Sequence, residues 1–195
     1  MEQTLTAAVV VLAVVAVGLV LAVFALARQI GILYERIAPM GALMLDAGPA
    51  VGDVAPRFTL EALDGRVVEV GNAGPQSSLL FFLSPTCPVC KKLLPILKSS
   101  ARSEQSWLRI LLASDGERSA QEKFYRQSKL TEFPYVLSAE LGLAFKVSRL
   151  PYAVLLDDTG KVRAKGLINS REQLESLFTA KDLGVSSVQE YLRSA

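Results

Sequence analysis

With 195 residues, half of them apolar, and a formal charge of +2, the chain suits one ordinary domain plus an appendage. Its positive charge is too small and too scattered to argue for nucleic acid. Two cysteines and no histidine exclude an internal disulfide framework, a four-ligand zinc site within one chain and any histidine-based triad.

From Ala7 to Ala27 every residue is apolar or glycine. At about 1.5 Å per residue such a helix reaches across a bilayer core of roughly 30 Å. A cleaved signal peptide is the alternative, because Ala25-Leu26-Ala27 has the small-x-small form. The length of the run and the lack of Lys or Arg before it favour an uncleaved anchor. The expected layout is a short segment 1–6, a transmembrane helix 7–28, a juxtamembrane linker 29–51, a folded domain 52–183 and a tail 184–195. Pro39, Gly41, Gly48 and Pro49 interrupt any helix in the linker.

Phe58 to Leu60 and Val67 to Val70 read as two strands around the Asp64-Gly65 turn. Leu79 to Leu83 is a continuous apolar run typical of a buried strand, and Lys91 to Ser99 carries apolar residues at helical spacing. Pro95 is expected to kink or divide that helix, since proline removes an intrahelical hydrogen bond. Trp107 to Ala113 is the next strand, and Ser119-Ala120-Gln121-Glu122 has the form of a capping box opening a helix to about Gln127. A short strand over Phe133 to Leu137 and a short helix over Ala139 to Phe145 follow. Tyr152 to Leu156 and Val162 to Gly166 form a hairpin across Asp158-Thr159-Gly160, and Ser170 with Gln173 opens a last helix to about Ala180. The order predicts an α/β fold with a central sheet covered by helices on both faces.

Both cysteines fall in Ser84-Pro85-Thr86-Cys87-Pro88-Val89-Cys90-Lys91-Lys92, at the junction between a strand and a helix. Unpaired N–H groups and the positive end of the helix dipole favour a thiolate at Cys87. Cys90, three residues on, lies on the same side of the first turn and can attack a mixed disulfide formed on Cys87. The motif therefore reads as a dithiol with Cys87 as nucleophile and Cys90 as resolving thiol. The intervening Pro88 and Val89 are the residues expected to tune the pair. Haem attachment needs a histidine where Lys91 stands, and a metal held within one chain is not expected; a static disulfide and a metal site shared between chains are the remaining alternatives.

The element order, with Cys87-Pro88-Val89-Cys90 at the junction and Pro95 five residues after the second cysteine, resembles the thioredoxin fold. Leu150-Pro151, before a strand and a hairpin, looks like the cis-proline of that fold, which faces the dithiol and seats extended substrates. The resemblance implies a central mixed sheet flanked by helices, an N-terminal β-hairpin extension beside the transmembrane helix, and Pro151 with Leu150 as substrate-binding residues. Two departures stand out: Phe81 replaces a buried aspartate six residues before Cys87, and Thr86 replaces the usual tryptophan. Gly52 to Leu60 followed by Leu63-Asp64-Gly65 is also similar to the opening of peroxiredoxins, but Leu80 and Ser84 occupy the positions of their proline and threonine.

Leu33 to Ala42, Phe82 to Lys91 and the tail Gly184 to Leu192 together resemble the methylamine utilisation proteins that accompany methylamine dehydrogenase. That resemblance implies a membrane-anchored thiol-disulfide oxidoreductase with no cofactor beyond the Cys87/Cys90 disulfide. Its implied client is the small subunit of methylamine dehydrogenase, which bears tryptophan tryptophylquinone, and a membrane or periplasmic redox partner resets it. Arg28 and Arg36 argue by the positive-inside rule for a cytoplasmic domain. Two arginines are a weak bias, and a dithiol is most useful where disulfides persist, so the catalytic domain is expected to face the periplasm. The rival functional readings are a chaperone-like module that holds the client near Pro151, and a periplasmic thiol reductase of the cytochrome-maturation type.

Overall fold

The computed structural model describes residues 48–183, together with residues 2, 3, 6, 12, 13 and 15–24 near the amino terminus. Residues 15–24 are helical and exposed, and among the described residues no helix is long and apolar enough to cross a membrane. The expected span 7–28, the linker as far as residue 47 and the tail 184–195 lie wholly or largely outside the described residues. The remainder folds as a unit of its own.

Its first strands, β1 (Phe58–Glu61) and β2 (Val67–Val70), form an antiparallel hairpin. Gly65 holds a φ of +83° at the turn, a region that a side chain disfavours. Five further strands make the main sheet: β3 (Ser77–Phe82), β4 (Leu108–Ser114), β5 (Tyr135–Leu137), β6 (Tyr152–Leu156) and β7 (Val162–Leu167), in the order β5-β4-β3-β6-β7. β3, β4 and β5 are parallel, while β6 and β7 run antiparallel to their neighbours. The hairpin reaches β5 through an antiparallel bridge between Ala62 and Val136, which covers part of that edge.

A strand buried on both faces shows no polar alternation, and β3 sorts its apolar residues accordingly. Leu79, Phe81 and Leu83 enter one core cluster, Leu80 and Phe82 the other. The helices are α1 (Pro88–Ser103), α2 (Arg118–Gln127), α3 (Ala139–Ala144) and α4 (Arg171–Leu183). Leu93, Leu97, Phe124 and Leu174 place α1, α2 and α4 on the first cluster. The second is closed by Leu141 of α3 and by Val68 and Val70 of the hairpin. Helices lie on both faces, as expected: three on one face, and a short helix that shares the other with the hairpin.

Of the two outcomes expected at Pro95, a kink or a division, division does not occur: the helix runs from Pro88 to Ser103 as one element. Pro95 is exposed, so the carbonyl it deprives of a partner, that of exposed Lys91, lies on the wet face, while buried Leu93, Leu94 and Leu97 hold both halves on the core. The capping box over residues 119–122 does not form, because the N-cap of α2 is Glu117, two residues before Ser119. The Ser119 hydroxyl donates to the Glu117 carboxylate, and Glu122 pairs with Arg118 and Arg126 instead. The last helix keeps its predicted start: the Gln173 N–H donates to Ser170 Oγ at 3.3 Å and the Gln173 side chain accepts from the Asn169 N–H at 2.6 Å.

Candidate active site

Cys87 is the N-cap of α1, with extended backbone at φ −80° and ψ 112°. Pro88 follows at the first helical position, where its missing N–H is one that no helix could have paired. The Cys90 N–H donates to Cys87 Sγ at 3.1 Å, so the sulfur occupies the place a serine or aspartate oxygen takes in an ordinary cap. The first turn of α1 contains no acidic residue to oppose the dipole. Upstream, the Ser84 and Thr86 hydroxyls lie 2.9 Å apart, and the Thr86 N–H donates to Ser84 Oγ at 3.3 Å. This side-chain turn, with the Cys87 N–H donating to the Ser84 carbonyl at 3.1 Å, fixes the approach to the cap.

The two cysteines form a disulfide, with Cα atoms 5.3 Å apart. Cys90 is wholly buried and Cys87 half-buried. An incoming sulfur therefore meets Cys87 first, and the thiolate formed there on reduction is the one stabilised by a backbone N–H and the helix terminus. Val89 packs against the core and Pro88 is exposed. Lys91 and Lys92 are exposed surface residues. Phe81 is 0% exposed in the same core cluster as Cys90, so the position of the departure is filled with apolar ring. Trp107, half-buried and packed against the core, meets Phe178 edge-on at 5.6 Å and donates to Glu104.

The Leu150–Pro151 peptide bond is cis. In the antiparallel pairing of β3 with β6, Phe82 stands opposite Tyr152, so the chain leaving β3 toward Cys87 and the chain entering β6 from Pro151 meet at one end of the sheet. Pro151 is buried there, and its neighbour Leu150 is 39% exposed. The structure thus gathers Cys87, Cys90, Leu150 and Pro151 at one sheet end.

Sequence reasoning missed a groove of about 310 Å³ at that same end. Its walls are the ends of β3 and β4, helix α3 and the segment leading to Leu150, with Leu83, Asp115, Gly142, Leu143, Arg149 and Leu150 among the lining residues. A signal for it was present. Leu141 and Leu143 are two residues apart on a helix, about 200° around its axis, so they cannot both face the core. Leu141 is buried and Leu143 is 75% exposed. Beneath this end, buried Gln121 donates to the Asp115 carbonyl and accepts from the Tyr135 hydroxyl, and burial pushes the Tyr135 phenol up to about 12. Among the described residues no group of three or more potential ligands is placed to hold a metal.

Comparison with known proteins agrees with this geometry. A family model described as thioredoxin-like matches residues 74–162. Sporulation thiol-disulfide oxidoreductase A of Bacillus subtilis is 31% identical over 121 residues, 58% of this chain and 70% of that protein. The crystal structure of StoA from Bacillus subtilis aligns with a TM-score of 0.56 at 27% identity, covering 67% of this chain and 99% of that one. Fold, half-buried cap cysteine and relatives together define a thioredoxin-like thiol-disulfide oxidoreductase. The methylamine utilization protein MauD of Paracoccus versutus is 46% identical over 177 residues, 91% of this chain and 89% of that protein. The chain belongs to the MauD family.

Proposed function

We propose that this protein is anchored by residues 7–28 in the cytoplasmic membrane and faces the periplasm, where it exchanges disulfides during maturation of the methylamine dehydrogenase small subunit. The observation that carries the exchange reading is the asymmetry of the pair: a half-buried Cys87 capped by the Cys90 N–H, joined to a wholly buried Cys90. The Cys87 thiolate attacks a client disulfide, a client thiolate leaves, and Cys90 then attacks Cys87 Sγ, releasing the second client thiol. Two electrons pass to the client and the Cys87–Cys90 disulfide is left behind. The reverse sequence donates a disulfide, and the reduction potential of the pair relative to its partners sets the direction. Leu150 and Pro151 seat the client beside Cys87. Methylamine utilisation as the setting is supported by the relatives' names, and the uninterrupted apolar run 7–27 supports the anchor.

The test is complementation of a deletion strain with wild type and with Cys87→Ser, scoring dehydrogenase activity and the disulfides of the small subunit. Wild type restores both and Cys87→Ser restores neither. Maturation retained in Cys87→Ser would replace exchange with a holding role. A redox titration of the isolated protein against glutathione gives the direction. A domain on the cytoplasmic face, read by cysteine labelling of intact cells, would overturn the topology.

A further inference from the structure

The turn that delivers Cys87 to its helix is held by its own side chains. Ser84 Oγ accepts from the Thr86 N–H at 3.3 Å and lies 2.9 Å from Thr86 Oγ1, while the Ser84 carbonyl accepts from the Cys87 N–H at 3.1 Å. Ser84 is half-buried and Thr86 exposed. Little else that is polar stands close by in the chain. From Ser84 to Cys90 these two residues are the only ones whose side chains carry an oxygen or nitrogen, since Pro85, Pro88 and Val89 are apolar. Beneath the pair, wholly buried Phe81 supplies no polar atom, and the first turn of α1 carries no acidic residue.

The oxidised and reduced forms depend on this turn to different degrees. In the disulfide, the covalent bond to Cys90 keeps Cys87 Sγ beside the Cys90 N–H, 3.1 Å away, whatever the upstream turn does. On reduction the S–S bond breaks, two electrons enter, Cys90 takes a proton and Cys87 is left as a thiolate. With glutathione as reductant, two glutathione thiols supply the electrons and leave as glutathione disulfide, and one proton is released. The free sulfur then stays on the Cys90 N–H only while the Cys87 backbone keeps the extended φ of −80° and ψ of 112° that an N-cap requires. We propose that Ser84 and Thr86 are positioning residues that stabilise the reduced pair selectively, through the Cys87 backbone, and so raise the reduction potential of the protein. This rests on the exchange reading of Cys87 given above. Ser84 has the larger part, because its oxygen meets both the Thr86 N–H and the Thr86 hydroxyl, whereas Thr86 contributes its side chain to one of those contacts alone. The two hydroxyls share a bond, so removing the second after the first should add little.

The experiment equilibrates the full-length protein in detergent with glutathione buffers and reads the reduced fraction by trapping thiols and weighing the product. Wild type is compared with Ser84→Ala, Thr86→Val, Thr86→Ser and the double variant Ser84→Ala/Thr86→Val, and each protein is also unfolded in urea in its oxidised and its reduced form. Ser84→Ala should lower the equilibrium constant for reduction by about five- to tenfold, which is about 20–30 mV at about 30 mV per tenfold. Thr86→Val should lower it by about two- to threefold, Thr86→Ser should restore the wild-type value, and the double variant should match Ser84→Ala. In urea, the reduced form of Ser84→Ala should lose more stability than the oxidised form, by the same factor. Equal losses in the two forms with an unchanged equilibrium constant would make the turn merely structural and overturn the proposal, as would a constant that rises or a Thr86→Ser variant that behaves like Thr86→Val. Exposed Thr86 can be changed without opening the core, so Thr86→Val against Thr86→Ser decides the matter even if Ser84→Ala does not fold. Absence of any two-electron transition in wild type would instead overturn the exchange reading itself.

Discussion

The two ends of the five-stranded sheet are built to different ends. At the redox end Cys87 is half-buried, Leu143 and Leu150 are exposed, and Arg149 and Asp115 line an open groove. At the opposite end the turn between β6 and β7 is sealed. Asp157, 5% exposed, accepts from the Thr159 N–H at 2.9 Å, the Thr159 hydroxyl at 2.7 Å, the Lys161 N–H at 2.9 Å and Arg163 Nε at 2.7 Å. Nearby Gly160, with φ +81°, packs so closely on the Gly71 carbonyl that a Cβ there would collide with it. The turn between β6 and β7 is held by a dense set of hydrogen bonds, whereas the redox end leaves Leu143 and Leu150 exposed. Surfaces used for binding are drawn from such under-committed regions.

Changes at the two ends should therefore separate activity from stability. The largest effect belongs to Cys87→Ser, which should slow exchange with a small disulfide by about a thousandfold or more. Cys90→Ser should instead accumulate a mixed disulfide on Cys87, visible as an added mass that a reductant removes. Loss of activity in Cys90→Ser with no adduct would break the assignment of nucleophile and resolving thiol. At the sealed end, Gly160→Ala should cost about 2–5 kcal/mol, combining the penalty of a left-handed backbone with the collision against Gly71. Denaturant unfolding measures that cost, and the reduction potential should stay where it was.

Asp157→Ala comes next, at about 2–3 kcal/mol, because several donors would lose their acceptor in a buried turn. Its pH dependence has a definite sign. Burial by itself raises the Asp157 carboxyl, but the bonds from Thr159, Lys161 and Arg163 outweigh it and hold the group below 3.8. The stabilisation is therefore present above about pH 4 and is lost as pH falls through the lower folded value. Urea midpoints measured from pH 6 down to pH 3 should converge for wild type and Asp157→Ala, and parallel curves would remove Asp157 from the acid response. The smallest effect is expected from Gly142→Ala, which should stabilise the domain by about 0.5–1 kcal/mol, since a helical glycine with open space gains from a methyl group. Destabilisation there would mean that α3 tolerates no addition on the groove side.

Local chemistry made much of this legible before any coordinates. The buried runs of β3, β4 and β6, the hairpin turn at Gly65 and the capping of α4 by Ser170 and Gln173 each follow from residues adjacent in the chain. So does the placement of both cysteines on one helical turn, because a spacing of three closes a helical turn whatever the rest of the protein does. The capping box at Ser119 was misread because Glu122 had a better partner in Arg118, four residues back on the same helix. Pro95 does not divide its helix, because buried Leu94 and Leu97 hold both halves on the core.

The sequence by itself determined the spacing of the two cysteines on one helical turn and the strand-helix order, since each depends on hydrogen bonds and periodicities that span a few residues. Only the tertiary structure decided what stands around that pair. Leu83, Asp115, Gly142 and Leu150 come from four separate stretches of chain, and they share a groove because β3 lies between β4 and β6 in the sheet. Strand order is fixed by which apolar faces bury best together, a property of the whole core that no short window of residues carries.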